Sequence, residues 1–274
     1  MPTPDLAAPA TRWRPSALVW SSVLLHLVAL AALAWQPQWW PSVLALLVAN
    51  HVLLTLCGLL PRSNWLGPNL RRLPAASAAR LEIAITIDDG PDPRVTPQVL
   101  AVLDRHQAKA TFFCIGARAA EYPQLCREIV ERGHDIENHS QQHRHYFSFL
   151  GLAGLRRELQ RAQDTLTALT GRPPRFFRAP AGLRNPLLDP VLQGLGLHLA
   201  SWTRRGFDTR CADPELLLRR LTRGLQAGDI LLLHDGNGAR TAAGEPVALT
   251  VLDALLARIA AQGLRPVTLR QAHT

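Results

Sequence analysis

The chain has 274 residues, 47% of them hydrophobic and 19% charged, enough for one large α/β domain or two modest ones with apolar residues to spare. Its formal net charge of +9 is not a nucleic-acid signature, because Arg12, Arg14, Arg62, Arg71, Arg72 and Arg80 against Asp5 put +5 of it in residues 1–80, around apolar segments. Residues 81–274 hold no basic run interleaved with aromatics, so no nucleic-acid partner is expected, and arginines beside apolar segments more simply face anionic lipid.

An N-terminal tail over 1–15 leads into a stretch from Pro15 to Pro61 without a single Asp, Glu, Lys or Arg. Within it, 16–35 and 42–60 read as two apolar segments of about 20 residues each. At 1.5 Å per residue that is roughly the 30 Å of a bilayer's hydrocarbon core. Trp35, Trp39 and Trp40 fall where an interfacial aromatic belt would lie. A cleaved signal peptide would need a small-residue cleavage site and a polar start before the second segment, and neither is there. The expectation is a two-helix transmembrane hairpin over 16–60, with membrane lipid as its partner. His26, Asn50 and His51 would pair across it or sit near its ends. Arginines flank both outer ends and the turn has none, so the positive-inside rule puts both ends and the following domain on the cytoplasmic side. A large domain can override a few arginines, which leaves the periplasmic side open.

Residues 61–80 form a linker rich in Pro, Ala and Arg. From 81 to 274 the pattern becomes short β-rich runs alternating with amphipathic stretches. Strands are expected at 83–87, 111–114, 134–137, 175–177, 198–202, 230–234 and 265–269. Helices are expected between them, among others at 96–106, 154–170 and 214–226. Strict β/α alternation implies a parallel sheet, with chemistry at the carboxyl ends of its strands. Cys57, Cys114, Cys126 and Cys211 form no C-x-x-C pair and read as buried free thiols.

Candidate chemistry lies at those strand ends. Asp88 and Asp89 follow the apolar run Ile83-Ala84-Ile85-Thr86-Ile87, and two adjacent acids allow one to bind a metal while the other accepts a proton. A solvated turn with a capping Asp would give the same letters, but not directly after a buried strand. His139 and His143 form an H-x-x-x-H pair, which ten histidines in 274 residues produce by chance about 0.4 times. An i, i+4 spacing on a helical turn would put both rings on one face. Two imidazoles and one carboxylate leave a fourth tetrahedral position for water, the pattern of a catalytic zinc. Arg178 and His234 each end a strand, and each alone could be a salt-bridge or core-edge residue. All of them together, at strand ends of one domain, point to a metal-dependent hydrolase.

In these motifs the chain resembles the polysaccharide deacetylases, the NodB-homology group of carbohydrate esterase family 4, over roughly residues 81–269. The five motifs are Thr86-Ile87-Asp88-Asp89-Gly90-Pro91, His139-Ser140-Gln141-Gln142-His143 after Asn138, Arg178-Ala179-Pro180-Ala181-Gly182, Trp202-Thr203-Arg204-Arg205-Gly206-Phe207-Asp208-Thr209 and Ile230-Leu231-Leu232-Leu233-His234-Asp235. The chain departs from the family at Ile87 for Phe, Ala181 for Tyr and Thr209 for Trp. The resemblance implies a distorted parallel (β/α) barrel of about seven strands following the hairpin. It implies a divalent metal, zinc foremost, on Asp89, His139 and His143. It further implies Asp88 as general base held by Arg178, His234 as general acid oriented by Asp208, the Ala181 N–H on the oxyanion, and Leu232 lining the acyl-methyl pocket. The activity implied is removal of N-acetyl groups from an amino-sugar glycan by a multi-pass protein of a bacterial inner membrane. Two other readings go with it: a deformylase or deacetylase of a polyprenyl-linked sugar, and a catalytically silent glycan-binding module.

Overall fold

The computed structural model describes residues 13–274; the first twelve residues of the expected tail, with Asp5 and Arg12, lie outside the described residues. Helix α1 (Ala17–Trp35) starts at Ser16, whose hydroxyl accepts the Val19 N–H at 3.3 Å and so satisfies one of the open donors of the first turn. A short turn over Pro37–Trp39 leads into α2 (Trp40–Gly58). Both stretches are long and apolar enough to cross a membrane, and most of their surface is not covered by protein. Their polar residues meet as expected across the hairpin. Asn50 Nδ2 donates to Ser22 Oγ at 2.8 Å, and the rings of His26 and His51 meet edge-on with centroids 5.3 Å apart.

Residues 61–80 are packed rather than extended into solvent: Leu66, Leu70 and Leu73 are buried, and α3 (Ala75–Ala79) ends the segment. From there strands and helices alternate. They are β1 (Glu82–Asp88), α4 (Thr96–Arg105), β2 (Ala110–Cys114), α5 (Gly116–Glu121), α6 (Pro123–Glu131), β3 (Asp135–Asn138), α7 (Leu152–Thr170), β4 (Phe176–Phe177), α8 (Leu188–Gly194), β5 (His198–Leu199), β6 (Arg204–Arg205), α9 (Pro214–Thr222), β7 (Ile230–His234), α10 (Val247–Ala261) and β8 (Arg265–Val267). All pairings are parallel, in the order β5-β4-β3-β2-β1-β7-β6, with β8 beside the first half of β1.

The expected distorted barrel is a curled half-barrel, open on one side. No strand pairing joins β5 to β6 among the described residues. Only residues 200–203 connect these two edges, and so short a segment spans at most ~17 Å. A flat sheet of seven strands at ~4.8 Å spacing would separate its edges by ~29 Å. The sheet therefore has to curl. The gap is filled from two sides: Leu70 bridges to Ala200, and the Arg178 guanidinium donates to the carbonyls of Ala200 (3.2 Å) and Ser201 (2.8 Å).

The period of two along β1 and β7 sorts their side chains. Ile83, Ile85, Ile87, Leu231 and Leu233 join a core shared with α4, α9 and α10 on the outside. Ala84, Ile230 and Leu232 join Phe113, Phe176 and Trp202 on the inside of the curl. Asp88 and His234 continue the inner series and stand opposite each other in register. Burial of a hydrophobic strand on both faces thus delivers one acid and one imidazole to the same end of the sheet. Cys57, Cys114 and Cys126 are buried free thiols, whereas Cys211 is half-exposed.

Candidate active site and metal centre

Asp88 closes β1, and Asp89 follows it with φ 74°, a left-handed conformation in which both carboxylates approach His139 Nε2. Its Oδ1 lies 3.2 Å from His139 Nε2 and 3.2 Å from His143 Nε2. The histidines meet by a route other than the expected helical turn. They sit in an irregular bend after β3, in which Ser140 (φ 64°) and His143 (φ 49°) are both left-handed and Ser140 Oγ accepts the His143 N–H at 3.0 Å. That bend brings the two ring centroids to 4.7 Å.

The donor atoms of Asp89, His139 and His143 all lie within 4.8 Å of one another. A tetrahedral ion with ligands at ~2.0–2.1 Å keeps its donors ~3.3–3.4 Å apart, close to the two 3.2 Å separations. Three further features fit an ion. Asp89 Oδ1 is buried without a hydrogen-bond partner, although its own Oδ2 accepts from Asn237 Nδ2 at 3.1 Å. His139 Nδ1 lies 2.8 Å from the Arg178 carbonyl, and a donor there leaves the Nε2 lone pair for coordination. Arg118 Nη1 donates to the Asp89 carbonyl at 3.0 Å, fixing the left-handed turn.

Around this centre two further pairs are braced. Arg178 Nη1 donates to Asp88 Oδ1 at 2.7 Å and to Thr86 Oγ1 at 2.7 Å. Its guanidinium also stacks over Phe113, 4.1 Å from the ring centre. Asp88 Oδ2 is left facing the Asp89–His139–His143 cluster, 3.9 Å from His139 Nε2. Across from it, Asp208 accepts from both the His234 backbone N–H (2.7 Å) and the ring Nδ1 (2.9 Å), so Nε2 is the ring nitrogen that Asp208 does not engage. Leu232 is buried two residues before, opposite Thr86, and Ala181 adopts φ 54° in the turn after β4.

The electrostatics follow from burial and these partners. Burial opposes ionisation of Asp89, but the close approach and charge of His139, with the charges of His234 and His143, hold its carboxyl below the usual range. Burial pulls His143 down to about 4, helped by its neighbour His139, so its ring is neutral at pH 7. Burial lowers His234 too, yet the Asp208 hydrogen bond and charge outweigh it and raise the ring above its ordinary value. Asp235 is pushed up to about 7 by burial, against the opposing hydrogen bond from Thr96.

Asn237, Arg118 and Asp235 border Asp89; the sequence reading marks neither Asn237 nor Arg118, and Asp235 only as the last residue of the fifth motif. Asn237 has a signal in retrospect, since Asp235-Gly236-Asn237-Gly238 is a tight turn directly after the strand-end His234. Gly236 is required there because a Cβ would meet the Asp89 carbonyl oxygen at 2.5 Å. Arg118 has none: it arrives from α5, far away in the chain.

A family model for polysaccharide deacetylase matches residues 76–200. A peptidoglycan-N-acetylglucosamine deacetylase from Bacillus cereus is 32% identical over 191 residues, covering 69% of this chain and 86% of the relative. A chitooligosaccharide deacetylase from Azorhizobium caulinodans is 38% identical over 155 residues, covering 56% of this chain and 73% of the relative. Among solved structures, a carbohydrate esterase family 4 pseudoenzyme from Bacillus anthracis superposes with a TM-score of 0.66 at 23% identity, over 75% of this chain and 69% of that one. That last likeness concerns the fold alone, so activity has to be argued from the side chains.

Proposed function

This chain belongs to the polysaccharide deacetylase family, carbohydrate esterase family 4, and we propose that it is a membrane-anchored, metal-dependent deacetylase of an N-acetylglucosamine-containing glycan. The relatives named for peptidoglycan and chito-oligosaccharides supply the substrate class. Residues 81–274 form the catalytic domain and 16–60 the anchor. One observation carries the reading: Asp89 Oδ1 is buried, unpartnered and equidistant from two imidazole nitrogens, between an arginine-held carboxylate and an aspartate-held histidine.

Asp89, His139 and His143 would hold the divalent ion, and a set of two imidazoles and one carboxylate suits zinc. Such an ion, when bound, acts as a Lewis acid that acidifies water and polarises an amide carbonyl. Asp88 accepts the attacking water's proton on Oδ2, the oxygen that Arg178 leaves free. The Ala181 N–H donates to the oxygen that becomes negative as the carbonyl carbon turns tetrahedral. His234, protonated and held at Nδ1 by Asp208, donates from Nε2 to the departing sugar nitrogen. Acetate and a free amine result, with the C–N bond broken and each proton accounted for. Leu232 offers an apolar floor that fits an acetyl methyl.

A glycan-binding module without turnover is the second reading, favoured only by the fold likeness to the pseudoenzyme. The braced Asp88 and His234 argue against it, since binding alone needs neither a base nor an acid. The test is acetate release from N-acetylated chito-oligosaccharides by the purified full chain. Release should stop with a chelator and return with zinc. A metal-loaded protein that liberates no acetate from any N-acetylated sugar would contradict this function.

A further inference from the structure

Three arginines stand around the gap between β5 and β6, and two of them are fully engaged. Arg178 donates to the Asp88 carboxylate, the Thr86 hydroxyl and the carbonyls of Ala200 and Ser201. Arg204 donates to the Asp229 carboxylate and to the carbonyls of Arg223 and Gly224. Arg205, the next residue, donates no hydrogen bond and joins no ion pair among the described residues, and its Nε is buried without a partner. What it has instead is two rings: its guanidinium carbon lies 5.2 Å from the Trp202 ring centre and 5.1 Å from that of Phe207. Aromatic faces attract a cation, but they leave the N–H donors of its fork unused. A charge partly withdrawn from water and given no anion costs free energy, so this fork is set for an anion that the chain itself does not supply.

Register puts this charge beside the candidate site. Arg205 pairs with Leu232 and Arg204 with Leu231, so Arg205 shares the inner face of the curl with Leu232 while Arg204 turns outward. Arg178, which holds Asp88, approaches the same Trp202 ring, 5.8 Å from its centre. Three residues after Arg205, Asp208 holds the His234 ring. The strand order fixes the side: β1 carries Asp88, β7 carries His234, and β6 lies beyond β7, ~4.8 Å further along the sheet. A group meeting Arg205 is therefore on the sugar side of the scissile amide, where His234 meets the departing nitrogen. Arg220 also approaches Phe207, 5.7 Å from the ring centre, but donates to the Gly206 carbonyl at 3.2 Å. A single free guanidinium remains. One planar fork suits one carboxylate, whereas a phosphomonoester brings nearly two charges.

We propose that Arg205 is a specificity-determining residue that pairs with a carboxylate on the glycan next to the N-acetylated position, so that an acidic glycan is preferred over a neutral one. The proposal rests on the deacetylase reading above and narrows its substrate. The experiment uses the full chain, loaded with zinc, and reads acetate. The probes are a tetrasaccharide of alternating N-acetylglucosamine and glucuronic acid, one of alternating N-acetylglucosamine and N-acetylmuramic acid, the carboxyl methyl ester of each, and neutral N-acetylated chitotetraose. For at least one pair the free acid should exceed its own ester in kcat/KM by about tenfold or more, as expected for a hydrogen-bonded ion pair. Arg205→Gln should bring that acid-to-ester ratio below about twofold, chiefly through a raised KM for the acid. An arginine that only packs on Trp202 would, when replaced, slow both members of a pair alike and leave the ratio unchanged, and that result would overturn the proposal. Acetate release by the parent chain with a ratio near one in both pairs would overturn it as well, whether or not the variant folds. No acetate from any probe, chitotetraose included, would instead overturn the deacetylase reading.

Discussion

Asn237 and Asp208 never need to touch substrate, yet the geometry makes both of them decisive. Asn237 occupies one oxygen of Asp89 and so directs the other toward the two imidazoles. Replacing it with alanine should weaken zinc binding by about 10- to 100-fold, the usual cost of losing a group that orients a ligand. Competition with a chelator of known affinity measures this, and unchanged affinity would show that Asp89 needs no such guide. Asp208 keeps the His234 ring protonated against burial, so the raised pKa carries the acid form to higher pH than a free imidazole allows. In Asp208→Asn burial would be opposed only by the charges of Asp88 and Asp89, and the alkaline limb of kcat should move to lower pH with a lower plateau. A pH–rate profile whose alkaline limb stayed in place would mean that another group donates the proton. Asp88, Asp89, His139, Arg178 and His234 were legible as residue types at or just past strand ends and His143 by its spacing from His139, whereas Asp208, in a loop beyond β6, came only with the family resemblance. Their approach was not: the histidine pair is shaped by left-handed Ser140 and His143, which no spacing rule reports.

At the scale of elements, legibility tracked how much apolar surface each strand buries. The outer and inner sides of β1 and β7 are apolar over most of their length, so their extents could be read almost to the residue. By contrast β6 is two arginines, Arg204 and Arg205, and is a strand only because it pairs with Leu231 and Leu232. Its role becomes visible only when the sheet curls and Arg204 turns outward to Asp229 while Arg205 stacks on Trp202 inside. The linker's packing was equally hidden, because Leu66, Leu70 and Leu73 are spaced for no regular element. One element-scale prediction concerns the start of β3. Burial, with the charge of Lys109, drives His134 down to about 4, and its Nδ1 accepts the Ala110 N–H that opens β2. The ring is neutral in the fold and titrates near 6.5 when unfolded, so its contribution is complete above pH 6.5 and is lost as pH falls toward 4. Between pH 6.5 and 5 this amounts to about 2 kcal/mol. Chemical denaturation at both pH values should show His134→Gln losing less stability on acidification than the parent by that order. An equal loss in both proteins would place the acid sensitivity elsewhere.

For the whole molecule, the linker over 61–80 ties the two apolar helices to the half-barrel, because it packs on the 200–203 segment that runs between the sheet's two edges. Leu70 bridges to Ala200, Arg62 reaches Thr203, and Arg178 crosses the same gap to hold Asp88. The linker after the apolar helices and the arginine that holds Asp88 therefore meet at the same gap. The most direct test of the central claim is to count zinc and acetate on the same preparation of the parent chain, Asp88→Asn and His143→Ala. The account predicts about one zinc per chain with turnover in the parent, undiminished zinc with turnover lost at least a thousandfold in Asp88→Asn, and loss of both in His143→Ala. Full zinc and full turnover in His143→Ala, or parental turnover in Asp88→Asn, would contradict it.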